Sequence, residues 1–121
     1  MAATIGVRLQ VPLTRAGLQR VLAYLVAVNR AYLRRHPNTP PLYRAGITYR
    51  RERPGNENWL SIPEIRATGH GDCEDLAAWR VAELRQKGIP AKPDLKRRGK
   101  VWHVTVWTPK GAEDPSKRLG M

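Results

Sequence analysis

Apolar and polar residues alternate at the start of the chain and then change period. Ile5, Val7, Leu9 and Val11 alternate with Gly6, Arg8 and Gln10, which predicts a half-buried strand over 4–11. Thr14 then reads as an N-cap, with Leu13 and Leu18 placed as a hydrophobic staple. Leu18, Val21, Leu22, Leu25, Asn29 and Tyr32 follow helical spacing, so a helix is expected over about 15–35, ended by His36-Pro37. Residues 36–46 read as loop and 47–52 as a short strand. Pro54 to Asn58 reads as a turn. Ser61 and Glu64 form a capping box for a short helix that Gly69-His70-Gly71 breaks. Asp72 caps a second long helix from 73 to about 87, with Asp75 at the capping-box position and Gly88 and Pro90 stopping it. Two strands follow, Ala91–Arg97 and Lys100–Trp107, joined at Arg98-Gly99, and Pro109-Lys110-Gly111 turns the chain toward Glu113-Asp114-Pro115. The order predicts an α+β domain, with helices on one side of a small antiparallel sheet.

Length sets one domain over residues 1–121. It divides into a basic strand–helix extension, 1–46, and a core, 47–121. The one cysteine excludes a disulfide framework and a Cys-based zinc site, and it fits a reducing compartment. The longest apolar run is eight residues, Val21 to Val28, too short to cross a bilayer. The alternating N-terminus lacks the continuous apolar region of a signal peptide, so a cytoplasmic location without membrane contact is expected.

Charge is uneven. Lys plus Arg number 22 against 10 Asp plus Glu, a net +12, and residues 1–51 hold nine Arg and no acid. Such a field attracts anionic partners, although a charge run is most often a solvated face. No aromatic residues interleave with those bases as a stacking platform requires. The expectation is weak, non-specific nucleic-acid contact through the basic N-terminal region.

The densest chemistry lies in Gly69-His70-Gly71-Asp72-Cys73-Glu74-Asp75. Cys73 takes the first position of a helix, where the unsatisfied N–H groups favour thiolate and can hold an oxyanion. A partly exposed Cys73 in a groove, titrating below an ordinary thiol, is therefore expected. An alternative reading is a small buried residue that starts a helix. Among the histidines, His36 is expected to be solvated, His70 to take a structural or substrate-rim role, and His103 to lie mid-strand on one face with Thr105 and Trp107. If the turn after that strand has two or four residues, paired positions sum to 219 and Asp114 falls opposite Thr105, diagonal to His103. Glu113 then points away and is expected to matter little. A metal site built from Cys73, His70 and a carboxylate lacks a paired ligand at usual spacing, and no metal or cofactor is expected.

Taken together, Gly71-Asp72-Cys73-Glu74-Asp75-Leu76-Ala77, Gly88-Ile89-Pro90-Ala91, His103-Val104-Thr105-Val106 and Asp114-Pro115-Ser116 resemble the transglutaminase-like superfamily of papain-like cysteine enzymes. The resemblance spans residues 59–116. Trp59 to Glu64 and the ending Glu113 to Met121 are similar to the short versions encoded in tailed phages. The resemblance implies a papain-like core, with the nucleophile helix packed on the sheet. It implies Cys73 as nucleophile, His103 as general base and Asp114 as orienting acid. Trp59, His70 and Asp72 fall at the oxyanion site or substrate rim. The implied activity is acyl transfer at an amide or peptide bond of a protein or peptide substrate, in host cytoplasm or virion. The competing reading is a catalytically silent basic module on the same fold, contacting nucleic acid or a virion assembly partner.

Overall fold

A computed structural model describes residues 6–7, 14–52, 58–99 and 101–121. In chain order its elements are β1 (Gly6–Val7), α1 (Arg15–Arg35), a 3-10 turn (Leu42–Arg44), β2 (Thr48–Tyr49), β3 (Trp59–Leu60), α2 (Ile62–Thr68), β4 (His70–Gly71), α3 (Cys73–Gln86), β5 (Lys92–Arg98), β6 (Val101–Thr108), β7 (Gly111–Glu113) and α4 (Pro115–Arg118). The chain is thus α+β. The strands form three small sheets and not the one expected: β1–β3 antiparallel, β2–β4 parallel, and the antiparallel meander β5-β6-β7. Strands of two residues cannot make a sheet alone, so β2 and β4 are held by what surrounds them. Thr48 N–H donates to Gly69 O, Arg50 N–H to Gly71 O and Tyr49 N–H to Leu119 O. The outer parts of the expected 4–11 strand, the Leu13 staple, the turn at 53–57 and Lys100 lie outside the described residues.

The long helices start where their caps demand. Thr14 Oγ1 accepts from Gly17 N–H at 3.1 Å, and the following 21 residues contain no acid. Arg34 and Arg35 close α1 at its C-terminal end, where cations offset the helix dipole. At α2, Ser61 N–H donates to Glu64 Oε1 at 3.1 Å. Gly69 ends that helix at φ 82°, a left-handed conformation that a side chain would strain. At α3, the Asp72 side chain accepts from Cys73 N–H at 2.7 Å and Asp75 Oδ2 accepts from Asp72 N–H at 3.1 Å.

Packing makes α1 a wall of the core. Its Leu18, Val21, Leu22, Leu25 and Val26 share one buried cluster with Ala77, Val81, Leu84, Leu95, Val104 and Val106 from α3, β5 and β6. A second cluster, around Trp79, Ile62, Ile65, Leu42 and Ile47, lies on the other flank of α3. Asn29, fully buried in α1, accepts from Ile62 N–H at 2.9 Å and so fixes the start of α2 against α1. Glu83 Oε1 does the same for the 3-10 turn by accepting from Leu42 N–H at 3.0 Å.

Candidate active site

Cys73 is the first residue of α3, and its position follows from the turn before it. Gly71 is needed there for space. A Cβ at Gly71 would lie 3.2 Å from Asp75 Cβ and 3.3 Å from Leu76 Cδ2. Asp75, fully buried, holds two segments at once: one oxygen accepts from Asp72 N–H, the other from Leu60 N–H at 2.9 Å. Burial raises its carboxyl, with the neighbouring Glu74 charge adding to the rise. Through Asp75 the Cys73 turn is tied to β3, and therefore to Trp59. Glu52 N–H donates to Asp72 Oδ2 at 3.1 Å, which ties the 50s segment to the same turn.

These ties open a groove of about 660 Å³ whose walls include Cys73, His103, Trp59, Asp72, Glu74 and Trp102. The groove brings together Cys73, His103, Trp59 and Asp72 of the residues singled out from sequence. Asp114 joins through His103: Nε2 lies 2.8 Å from Asp114 Oδ2. The other carboxylate oxygen accepts from Lys117 N–H at 3.2 Å, so α4 fixes the carboxylate's orientation. A carboxylate only accepts, which assigns the proton to Nε2 and leaves the Nδ1 lone pair as the ring's remaining acceptor. The register behind this pair is the expected one. Val106 pairs with Glu113, Trp107 with Ala112 and Thr108 with Gly111, around the two-residue turn Pro109-Lys110.

Other expectations are overturned. Cys73 is buried, at 7% exposure, and not partly exposed. Its Sγ–H donates to Glu74 Oε2 at 3.1 Å. Burial pushes the thiol up, and the charges of Glu74 and Asp72 push it further, while a backbone hydrogen bond with Val104, the residue after His103, pulls the other way. The resting sulfur is thus a neutral thiol and not the thiolate expected at a helix start. The Cys73 N–H at the helix start is itself engaged, donating to Asp72 Oδ1 at 2.7 Å. Of the two roles expected for His70, the rim is not the one seen: it does not line the groove, and its Nε2 faces Arg50 Nη1 at 3.3 Å.

Glu113, expected to be inconsequential, points away from His103 but into a network. Its Oε1 accepts from Arg80 Nε at 2.8 Å and from Tyr43 Oη at 2.8 Å, and its Oε2 accepts from Arg80 Nη2 at 3.3 Å. Burial acts to raise its carboxyl, yet the hydrogen bonds from Arg80 and Tyr43 and the charges of Arg80 and Arg118 outweigh it, and the net shift is downward.

Sequence reasoning missed Glu74 as the partner of the thiol, since adjacent helical residues do not ordinarily face each other. It also missed what singles out Trp59. The indole is 3% exposed, lines the groove, and its Nε1 has no hydrogen-bond partner among the described residues. Asp72, Cys73 and Glu74 bring one potential metal ligand each within 4.8 Å of one another. The Asp72 oxygens are already engaged by Cys73 and Glu52, and the thiol by Glu74, so the set is spent on itself and on backbone.

Comparison of the chain with protein-family models, curated proteins and solved structures finds no match. Among the described residues, no helix is long and apolar enough to cross a membrane.

Proposed function

We propose that the chain is a small cysteine-dependent acyl-transfer enzyme of transglutaminase-like, papain-like character, acting on an amide or peptide bond. The observation that carries this reading is the His103–Asp114 pair at 2.8 Å beside the groove that Cys73 lines. An imidazole held at Nε2 by a fixed carboxylate has one tautomer, and its Nδ1 serves as a base.

The neutral resting thiol makes this general-base catalysis and not a preformed ion pair. The thiol proton passes from Sγ to His103 Nδ1 as sulfur bonds to the substrate carbonyl carbon. The oxyanion needs a donor, and with the Cys73 N–H spent on Asp72 the role falls to the unpartnered Trp59 Nε1. His103 returns the proton to the leaving amine as the C–N bond breaks. Water or a second amine then attacks the thioester and releases sulfur. Asp114 keeps the ring oriented and stabilises the imidazolium. One observation favours a catalytically silent module instead: Cys73 is enclosed and hydrogen-bonded to Glu74.

The two readings part on an acyl probe. With p-nitrophenyl acetate, the enzyme gives a burst of nitrophenolate near one equivalent and an acetyl adduct on Cys73 by mass spectrometry. His103→Ala slows that burst by about 10²–10⁴-fold, the range of a lost general base. No adduct on Cys73, or an undiminished burst in His103→Ala, supports the silent module.

A further inference from the structure

We propose that the Cys73 groove takes the N-terminal end of a peptide, holding its α-ammonium on Glu74 and Asp72, so that the enzyme releases a single apolar residue from the chain end. The proposal rests on the acyl-transfer reading of this site and names its substrate class.

The groove has a local polarity of its own. Among the described residues its walls carry three carboxylates, Glu52, Asp72 and Glu74, and one Lys or Arg, the exposed Arg51. That runs against the whole chain, which holds 22 Lys and Arg to 10 Asp and Glu. Two of the carboxylates flank Cys73 in sequence, and one oxygen of each lies within 4.8 Å of Sγ. Arg15 and Arg97, which lie over Trp102 at the other wall, are held on the backbone oxygens of Leu95 and Gly99. The acidic end of the groove is therefore the end at the sulfur.

Distance selects which cation fits there. In the acyl-enzyme the substrate's carbonyl carbon is bonded to Sγ. An α-nitrogen is two bonds from that carbon, about 2.5 Å away, whereas an extended lysine ammonium is six bonds away, roughly 7 Å. Acceptors packed against Sγ match the first and are overshot by the second. An internal peptide nitrogen at the same place is neutral and brings a further residue with it, against a Glu74 that is only 8% exposed. An ammonium donates three hydrogens, and a carboxylate oxygen that already accepts one keeps a second lone pair. The bonds of Asp72 with Cys73 N–H and Glu52 N–H can thus stay. Glu74 exchanges the thiol hydrogen for the ammonium, which leaves Sγ–H to turn to His103.

The rest of an aminoacyl group finds its needs met in the same groove. Its carbonyl requires a donor, and Trp59 Nε1 lines the groove at 3% exposure with no partner among the described residues. Its side chain requires an apolar wall, which Leu18, Leu22 and Val104 supply, with exposed Val101 and Met121 at the rim. A volume of about 660 Å³ is that of a site enclosing a small ligand. In the reaction Sγ bonds to the first carbonyl carbon, the first C–N bond breaks, and the thiol proton leaves on the shortened peptide's amine by way of His103. Water then splits the thioester to the amino acid and the thiol.

The test measures acylation of Cys73 by the p-nitrophenyl esters of leucine, N-acetyl-leucine and 4-methylpentanoic acid, the last having leucine's skeleton without the nitrogen. Each rate is corrected with Cys73→Ala and divided by the same ester's rate with 2-mercaptoethanol, which removes intrinsic reactivity. Leucine is expected to lead both others by about 10–100-fold, the worth of hydrogen bonds to a charged group. Glu74→Gln and Asp72→Asn should each cut that lead at least about fivefold, with thermal melts to verify that both variants are folded. Three things overturn the proposal and leave the acyl-transfer reading standing: equal normalised rates in the parent, a lead over N-acetyl-leucine but not over 4-methylpentanoate, and a lead that both variants keep. No adduct on Cys73 from any ester overturns that reading and this proposal together.

Discussion

At the residue scale the decisive feature is that Cys73 is guarded. Its neighbours on both sides in sequence are acids, and Glu74 takes the thiol hydrogen bond. Iodoacetamide alkylation followed against pH should therefore have its midpoint above the ordinary thiol value of 9.0, since burial first and then Glu74 and Asp72 disfavour the thiolate. Glu74→Gln removes a charge from beside the sulfur and should move the midpoint down; a midpoint unmoved by it contradicts the guard. Trp59→Phe is the companion test. It keeps the packing of a 3% exposed ring but deletes the unpartnered indole N–H that lines the groove. Thioester formation should slow by about 10²–10³-fold, as when an oxyanion donor is lost, while the melting temperature stays level or rises because one buried unpaired donor is removed. A large loss of stability with an unchanged rate makes Trp59 a packing residue only.

At the element scale, what was legible in the sequence is what depends on near neighbours. Thr14, Ser61-Glu64 and Asp72-Asp75 satisfy helix starts within three residues, and all three appear where the sequence places them. The β6–β7 register was legible for a similar reason: a two-residue turn fixes parity, and parity decides that Asp114 and not Glu113 meets His103. Contacts between distant segments were not legible. Nothing near His70 announces Arg50, and nothing near Leu60 announces Asp75, yet these cross-chain bonds separate the small sheets and place Trp59 against the Cys73 turn. Gly71 is the element-scale test. With its would-be Cβ against the backbone-anchored Asp75 Cβ, Gly71→Ala should destabilise by about 1–3 kcal/mol through overpacking. It should also slow acylation of Cys73, because the strained turn carries the proposed nucleophile. A melt within experimental error of the parent shows that the turn has slack.

At the scale of the whole molecule, Glu113 is the joint that the sequence hid. It sits at the end of β7 and binds Arg80 of α3 and Tyr43 of the 3-10 turn, so one carboxylate holds three elements together while the next residue serves His103. On the proposed function, adjacent residues of one strand end divide stability from chemistry. Asp114→Ala should cut Cys73 acylation strongly with a small change in melting. Glu113→Ala should do the reverse, costing about 2 kcal/mol for lost hydrogen bonds to a charged partner. The pH dependence identifies the cause. The folded Glu113 carboxyl titrates below its ordinary value of 4.5, so its contribution is fully present above about pH 4.5 and is lost as pH falls through the lower folded value. Asp75 works in the opposite sense. Its folded carboxyl titrates above 3.8, so it favours the folded state in acid and opposes it as pH rises past that value. Both groups contribute to the parent's acid limb, and the difference between parent and Glu113→Gln isolates the first. Urea unfolding from pH 3 to 7 should show that difference largest at neutral pH and shrinking below about pH 4.5. A gap that stays constant across the range means that the carboxylate charge is not what joins β7 to α3, and that shape alone holds the strand end that carries Asp114.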